Sequence, residues 1–244
     1  KELLNEYKEV VNVSILDKDT TDGYKSIIIL KSVGEQSSHL LPDGEIIYGR
    51  KVMLSSYCFS IVGKDHIKKH MPCHDSSLIA AISSSWKIAV VADGVGSCKH
   101  AETASKIAVE TVAKLIKEQF PPFVSDDQTY FSVIRAAMHG AANAIERYVE
   151  KNDEGNEREY QTTLSVAVMS SKLLYYGNAG DSGIIALDDQ GEYHLVTEQQ
   201  NDDEGRVYAM PSNRIFEVGK AKFTPVAALC MTDGVYNNVV PFLL

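Results

Sequence analysis

The chain has little positive charge to spare: 24 Lys and Arg face 33 Asp and Glu, a formal net charge of −9 over 244 residues. That balance argues against nonspecific nucleic-acid binding, and it is of the kind that bound cations offset in part. Cysteine is scarce. Cys58, Cys73, Cys98 and Cys230 show no Cys-x-x-Cys spacing, which disfavours a zinc knuckle or a redox pair. None opens a Cys-x5-Arg loop, so cysteine-based phosphoryl chemistry is disfavoured too. No apolar run reaches the roughly 18 residues that a membrane helix needs. No signal peptide is visible, and no repeat or low-complexity tract. These absences lead to an expected cytoplasmic protein with no membrane and no nucleic-acid partner. The first residue is Lys rather than Met, as in a processed or trimmed chain. What remains is an ordinary globular composition, 44% apolar and 23% charged, long enough for one domain with a sizeable core.

Against that background two Asp-Gly steps stand out. Asp93-Gly94 follows the apolar run Lys87–Ala92, and Asp233-Gly234 follows Val226–Met231. Each run reads as a buried strand with a carboxylate where it ends. Asp181 follows the apolar run Leu173–Ala179, and Asp75 sits in His74-Asp75-Ser76. One such step alone is usually a turn. Four in this setting point to one oxygen-rich site assembled from distant parts of the chain. Two carboxylates converging to about 4 Å would repel by roughly 4 kcal/mol at an effective dielectric near 20. Either a proton or a divalent cation must then sit between them. Oxygen ligands favour Mg²⁺ or Mn²⁺ over zinc, and two such ions suit hydrolysis of a phosphate ester.

The apolar periodicity sets the frame. Short strands are expected at Ile27–Leu30, Tyr57–Val62, Ile79–Ile82 and Ile88–Ala92, the last two as a hairpin. Ala104, Ile107, Ala108, Val112, Leu115 and Ile116 give one apolar face to a helix near 101–119, ended by Pro121 and Pro122. A second helix is expected near 128–150, with Ile134, Ala137, Met138, Ala141, Ile145 and Tyr148 on one face. Lys151–Tyr160 reads as a charged linker. Strands follow near 163–169, 173–178, 183–187, 193–197 and 225–231, with a polar loop over 199–213 that carries little core signal. Asp17–Gly23 reads as a turn rather than a calcium loop, its Gly falling one place late. Cys58 and Cys230, in apolar runs, read as core thiols. Strands, two long helices, then strands make an α+β pattern with antiparallel sheets.

The ordered set resembles the protein phosphatase 2C family of metal-dependent serine/threonine phosphatases, nearest its bacterial branch. Its pieces are Gly63-Lys64-Asp65-His66, Cys73-His74-Asp75, Asp93-Gly94-Val95-Gly96-Ser97, Gln161-Thr162-Thr163-Leu164, Gly177–Ser182 and Met231–Val235. Each is weak alone; in order they are specific. The resemblance implies an α-β-β-α sandwich of two antiparallel sheets flanked by helices, with metals held at one end. It implies that Asp93 bridges two Mn²⁺ or Mg²⁺ ions, that the Gly94 carbonyl binds one, and that Asp233 ligates the other. Asp75 would hold metal-bound waters, and Asp181 a third, weaker ion. The catalytic set is thus Asp93, Asp233 and Asp75, with His74 and His66 behind them. The implied reaction is hydrolysis of phosphoserine or phosphothreonine by a metal-activated water, opposing a protein kinase.

Four positions depart from the family pattern. His74 stands where Gln or Glu is usual, Val95 where eukaryotic members carry His, and Gly183 where Arg often follows Gly-Asp-Ser. The family's final Asp has no counterpart before Leu244, so a phosphatase domain over 56–244 is expected to lack its last helix and strand. Residues 1–55 are expected to pack on it as an extension. The missing acid and His74 support an alternative, a weak or inactive regulatory module, and a sugar or nucleotide phosphatase is a third reading. Beside these motifs, Cys73 and Cys98 are candidate redox-sensitive thiols. Lys64, Lys68 and Lys69 are a solvated loop or a steering patch for a phosphopeptide.

Overall fold

The computed structural model describes residues 25–40, 46–62, 64–121, 126–152 and 156–243. The turn expected at Asp17–Gly23 lies outside them. The chain forms two five-stranded antiparallel sheets packed face to face. Strands β1 (Lys25–Leu40) and β2 (Ile46–Ile61) precede a short helix α1 (Lys64–Lys68). Then come β3 (Ser76–Ala81), β4 (Lys87–Ala92), α2 (Ala101–Gln119) and α3 (Asp127–Asn152). Next are β5 (Leu164–Met169), β6 (Leu174–Ala179), β7 (Gly183–Asp188) and β8 (Tyr193–Leu195). The described chain closes with β9 (Glu217–Lys220), β10 (Pro225–Met231) and α4 (Asp233–Leu243). One sheet has the order β2-β1-β10-β7-β8 and the other β3-β4-β5-β6-β9.

The layers follow from where apolar side chains fall. Helices α2 and α3 lie on the β3–β9 sheet. Between them sits the larger core, including Ile88, Val90, Val112, Ile116, Ile134, Met138 and Ile145. The opposite faces of the same strands supply Ala89, Val91, Ala167 and Met169, which pack on Ile184, Ala186, Ala228 and Cys230 of the second sheet. Strand alternation therefore feeds two cores from one sheet. Helix α4 covers the outer face of the second sheet through Val235, Tyr236, Val239 and Val240 against Ile185, Leu229 and Met231. The expected α-β-β-α sandwich is the observed fold.

Several boundaries differ from expectation. β1 and β2 are far longer than the expected Ile27–Leu30 and Tyr57–Val62, pairing from Lys25↔Ile61 to Leu40↔Ile46. β1 is an interior strand, held to β10 through Ile27↔Met231 to Lys31↔Ala227. The division expected at residue 55 falls inside β2. A helix does follow Asp233, where none was expected; among the described residues no strand follows it. Met210, in the loop read as having little core signal, is fully buried. Cys230 is a core thiol as expected, but Cys58 is exposed: it lies on the edge strand β2, and its thiol donates to Ser77 Oγ at 3.0 Å. No described helix is long and apolar enough to cross a membrane.

Candidate active site

Register alone carries the four aspartates to one end of the sandwich. In the antiparallel pair β3–β4, Ser76 faces Ala92, so Asp75 and Asp93 sit at adjoining strand ends. In β10–β7, Met231 faces Gly183, which brings Asp233, two residues past β10, beside Asp181, two residues before β7. The two sheets stack with β4 against β10, so the pairs meet. Asp93 feels the charges of Asp75, Asp233 and Asp181, and Asp233 is close enough to hydrogen-bond its carboxyl. The residue keeps some access to solvent, yet its carboxyl group lies deep among the other acids. Burial first, then these neighbours, hold the Asp93 carboxyl well above the usual range. Burial and Asp233 push Asp181 up to about 6.

The backbone around Asp93 is held from two sides. Its N–H donates to Thr163 Oγ1 at 2.9 Å, and its carbonyl accepts from Thr162 Oγ1 at 2.9 Å and from Thr163 N at 2.8 Å. Thr163 Oγ1 is also 2.7 Å from Ser182 Oγ, so one threonine ties Asp93 to the residue after Asp181. Thr232, next to Asp233, donates to Asp75 Oδ2 at 2.8 Å. Sequence reasoning quoted the Thr162-Thr163 pair only as a family match and gave Thr232 no role. These threonines are 0% to 2% exposed, and groups so deeply buried are kept for their hydrogen bonds; in the sequence the only signal is a hydroxyl residue at the end of an apolar strand run.

Two glycines are required by close packing. A Cβ on Gly94 would lie 2.5 Å from the carbonyl oxygen of Ala101, at the start of α2. A Cβ on Gly183 would lie 2.2 Å from the Tyr236 ring. That ring occupies the space a larger residue would need, which accounts for the glycine where family members often carry Arg. Tyr236 also donates to the Thr197 carbonyl at 3.3 Å, coupling α4 to the segment between β8 and the 199–213 loop. The loop is tied to the acidic end: Gln200 exchanges hydrogen bonds with Gly180, and Gln199 Nε2 donates to the Asp181 carbonyl at 2.8 Å.

The other expected residues fall as follows. His74 is 2% exposed and its ring meets that of His66 edge-on at 5.2 Å. Burial, helped by His66 and opposed by Glu102, pushes it below the usual histidine range, which disfavours the charged imidazolium. Its carbonyl accepts from Ser105 Oγ and from Gly94 N. Cys73 and Cys98 do not fit a reactive-thiol role. Burial raises both thiols; Asp75 and Asp93 raise Cys73 further and Glu159 raises Cys98, disfavouring the thiolate. Lys68 and Lys69 are exposed.

The donor set fits a hard divalent cation. Carboxylates pressed together at a partly open end need a proton or a cation between them. Among the described residues no three His, Cys, Asp or Glu are placed so that they could together hold a metal ion. Mg²⁺-like ions do not need three, since they keep several waters and take one or two carboxylates.

Fold and site together define the class. The structure resembles the serine/threonine phosphatase Stp1 from Staphylococcus aureus, with a TM-score of 0.51 at 15% identity, covering 64% of this chain and 69% of that one. The S. agalactiae serine/threonine phosphatase gives 0.52 at 16%, covering 67% and 74%. A variant bacterial serine phosphatase gives 0.52 at 17%, covering 67% and 71%. At these identities the likeness is one of fold. No curated protein matches the chain. The family model described as Protein phosphatase 2C matches residues 62–242, well over half of the sequence. The chain belongs to the protein phosphatase 2C family.

Proposed function

We propose that this chain hydrolyses phosphoserine and phosphothreonine in proteins, with two Mn²⁺ or Mg²⁺ ions and a third, weaker one. The observation that carries the reading is the crowding of Asp93 by Asp75, Asp181 and Asp233, every named influence on its carboxyl acting in one direction. In this reading Asp93, the Gly94 carbonyl and Asp233 hold the two main ions, Asp181 serves the third, and Asp75 acts through water. Bound there, the cations would acidify a water and neutralise charge on phosphoryl oxygens.

The chain's own groups prepare that end. Thr162 and Thr163 fix the height of Asp93 on its strand, and Thr232 orients Asp75. The Gln199 and Gln200 contacts hold the 199–213 loop beside Asp181. His74, next to Asp75 in the chain, has its charged form disfavoured by burial, and the uncharged ring can donate or accept a hydrogen bond as the tautomer dictates. It therefore replaces a Gln or Glu without adding a charge. The family match supports phosphorylated proteins as the substrates, which sets the enzyme against a serine/threonine kinase, and we place it in the cytoplasm.

The test is release of inorganic phosphate from a phosphothreonine peptide by the full chain across a manganese titration, with a chelated control. Release that rises with manganese and vanishes on chelation is expected. A peptide that binds but is never hydrolysed would favour the regulatory module instead. Faster turnover of free sugar or nucleotide phosphates than of the peptide would overturn the protein-substrate reading.

A further inference from the structure

A cleft of about 640 Å³ opens beside the acidic end. Val95 and Ser97, just after Asp93-Gly94, line one side, Arg158 and Gln161 another, and parts of the 202–213 loop, among them Arg206 and Ser212, the third. Its walls are fixed to the site. Val95 N donates to the Gln161 carbonyl at 3.0 Å, Gln161 Nε2 donates to Ser212 Oγ at 2.9 Å, and Thr162 and Met210 exchange backbone hydrogen bonds at 2.9 Å. Its size is that of a small-ligand or peptide side-chain site.

The charges lining it are unequal in their commitments. Arg206 is held by Asp202 and by Glu204, each at 2.7 Å, so its charge is answered within its own turn. Arg158 is exposed, and among the described residues it makes no ion pair. Its backbone is pinned: Cys98 Sγ donates to the Arg158 carbonyl at 3.2 Å, and the next residue, Glu159, accepts from Lys99 N and His100 N. Among the described residues, then, Arg158 brings to the cleft a guanidinium that no carboxylate answers, in a chain of net charge −9. A guanidinium presents a planar fork of donors suited to carboxylate or phosphate.

We propose that this cleft seats the peptide flanking the phosphorylated residue and that Arg158 selects an anionic side chain there, a carboxylate or a second phosphate. The proposal rests on the phosphatase reading for what occupies the acidic end, but the cleft can be tested without turnover. Arg158 is a specificity residue in this account. Gln161 and Ser212 supply neutral hydrogen-bonding groups, so an uncharged flank would still bind, less tightly.

The experiment measures binding by fluorescence anisotropy with the full chain at low salt. Three labelled phosphothreonine peptides are compared, differing only in the flank: neutral, glutamate-bearing, or carrying a second phosphate. The anionic flanks should bind about fivefold more tightly than the neutral one, a size suited to an exposed charge-assisted contact. Arg158→Gln should erase that preference and Arg158→Glu should reverse it. Lys222→Gln, on a separate cleft, should leave the preference intact and so controls for overall charge. The glutamate and diphosphorylated arms decide which anion is preferred. Equal affinity for all three peptides in the unaltered chain would overturn the proposal, as would a preference that survives Arg158→Glu. Failure of the phosphatase reading would show separately, as absent phosphate release with the flank preference intact.

Discussion

Two populations of aspartate coexist in this molecule. Asp127, Asp188 and Asp202 each have a donor close by: Asp127 has the Tyr175 hydroxyl at 2.6 Å and Lys220 at 3.0 Å, Asp188 has His194 at 2.7 Å, and Asp202 has Arg206 at 2.7 Å. Hydrogen bonds hold all three below the usual carboxyl range. Asp93 and Asp181 are held above it, by burial and by one another's neighbours. The first group serves the fold. The second works against it, and a fold keeps such a cluster only where it serves binding or catalysis. The same substitution, Asp to Asn, should therefore have opposite consequences in the two places.

The largest effect is expected at Asp93. Asp93→Asn should lower manganese-dependent phosphate release by at least about 100-fold, because in the proposed arrangement the group shared by both ions loses its charge. The metal-free protein should become more stable in the same variant, with Tm rising by ~2–4 °C, the shift that about 1 kcal/mol gives in a chain of this size. Loss of activity together with loss of stability would place Asp93 in the first population. Asp181→Ala should lower the rate less while leaving the main ions bound; calorimetry showing no metal binding at all would contradict that division.

Next comes the scaffold between the two sheets. Thr163→Val removes a buried hydroxyl that accepts from Asp93 N and meets Ser182, at a cost of about 1–3 kcal/mol. Chemical denaturation should show the loss, and activity should fall with it. Gly183→Ala should cost a similar ~1–3 kcal/mol by pressing on Tyr236. Trimming the ring in the double variant Gly183→Ala, Tyr236→Leu should recover part of it. Additive losses would mean the two residues do not touch.

The smallest effect separates the populations by pH. Asp127 has a lowered folded pKa, so its contribution is present above the ordinary carboxyl value, ~3.9, and lost as pH falls through the folded value. Asp181, raised to about 6, behaves oppositely. Its protonated form is compatible with the fold below ~4, and stability is lost as pH rises toward and past about 6 in the absence of divalent cations. Asp127→Asn should lower Tm at pH 7 by only ~1–2 °C, since its side chain is 44% exposed and screened, and should leave phosphate release unchanged. A Tm profile of the metal-free Asp181→Asn variant should lose the downward step near pH 6. A step that persists belongs to another group.

The same contrast explains what could be read from sequence. The helices were legible because their apolar residues recur at helical spacing, and α2 begins and ends where that stripe and the prolines place it. The β3–β4 hairpin was legible from alternating apolar runs around a polar turn. β1 and β2 were legible only at Ile27–Leu30 and Tyr57–Val62; their Ser, Gly, Lys and Glu stretches lack alternation, and long-range pairing holds them. The acids could be named because each sits at a strand end or turn, but their convergence depends on register across two sheets, which no local window encodes. The clasp of Thr162 and Thr163 on Asp93, and Tyr236 over Gly183, join residues far apart in the chain. Helix α4 was hard to read from sequence because it is 11 residues long with Pro241 inside it, although Val235, Tyr236, Val239 and Val240 give it one apolar face.

The most direct test of whether these acids form a cation site is thermal unfolding of the unaltered chain and of Asp93→Asn, each with and without manganese at pH 7. Binding to the folded state alone should raise Tm of the unaltered chain by several degrees, since ligand at about 100 times its Kd contributes roughly 2.7 kcal/mol. Asp93→Asn should start from a higher Tm and gain little. An equal manganese shift in both proteins, or none in the unaltered chain, would contradict the account.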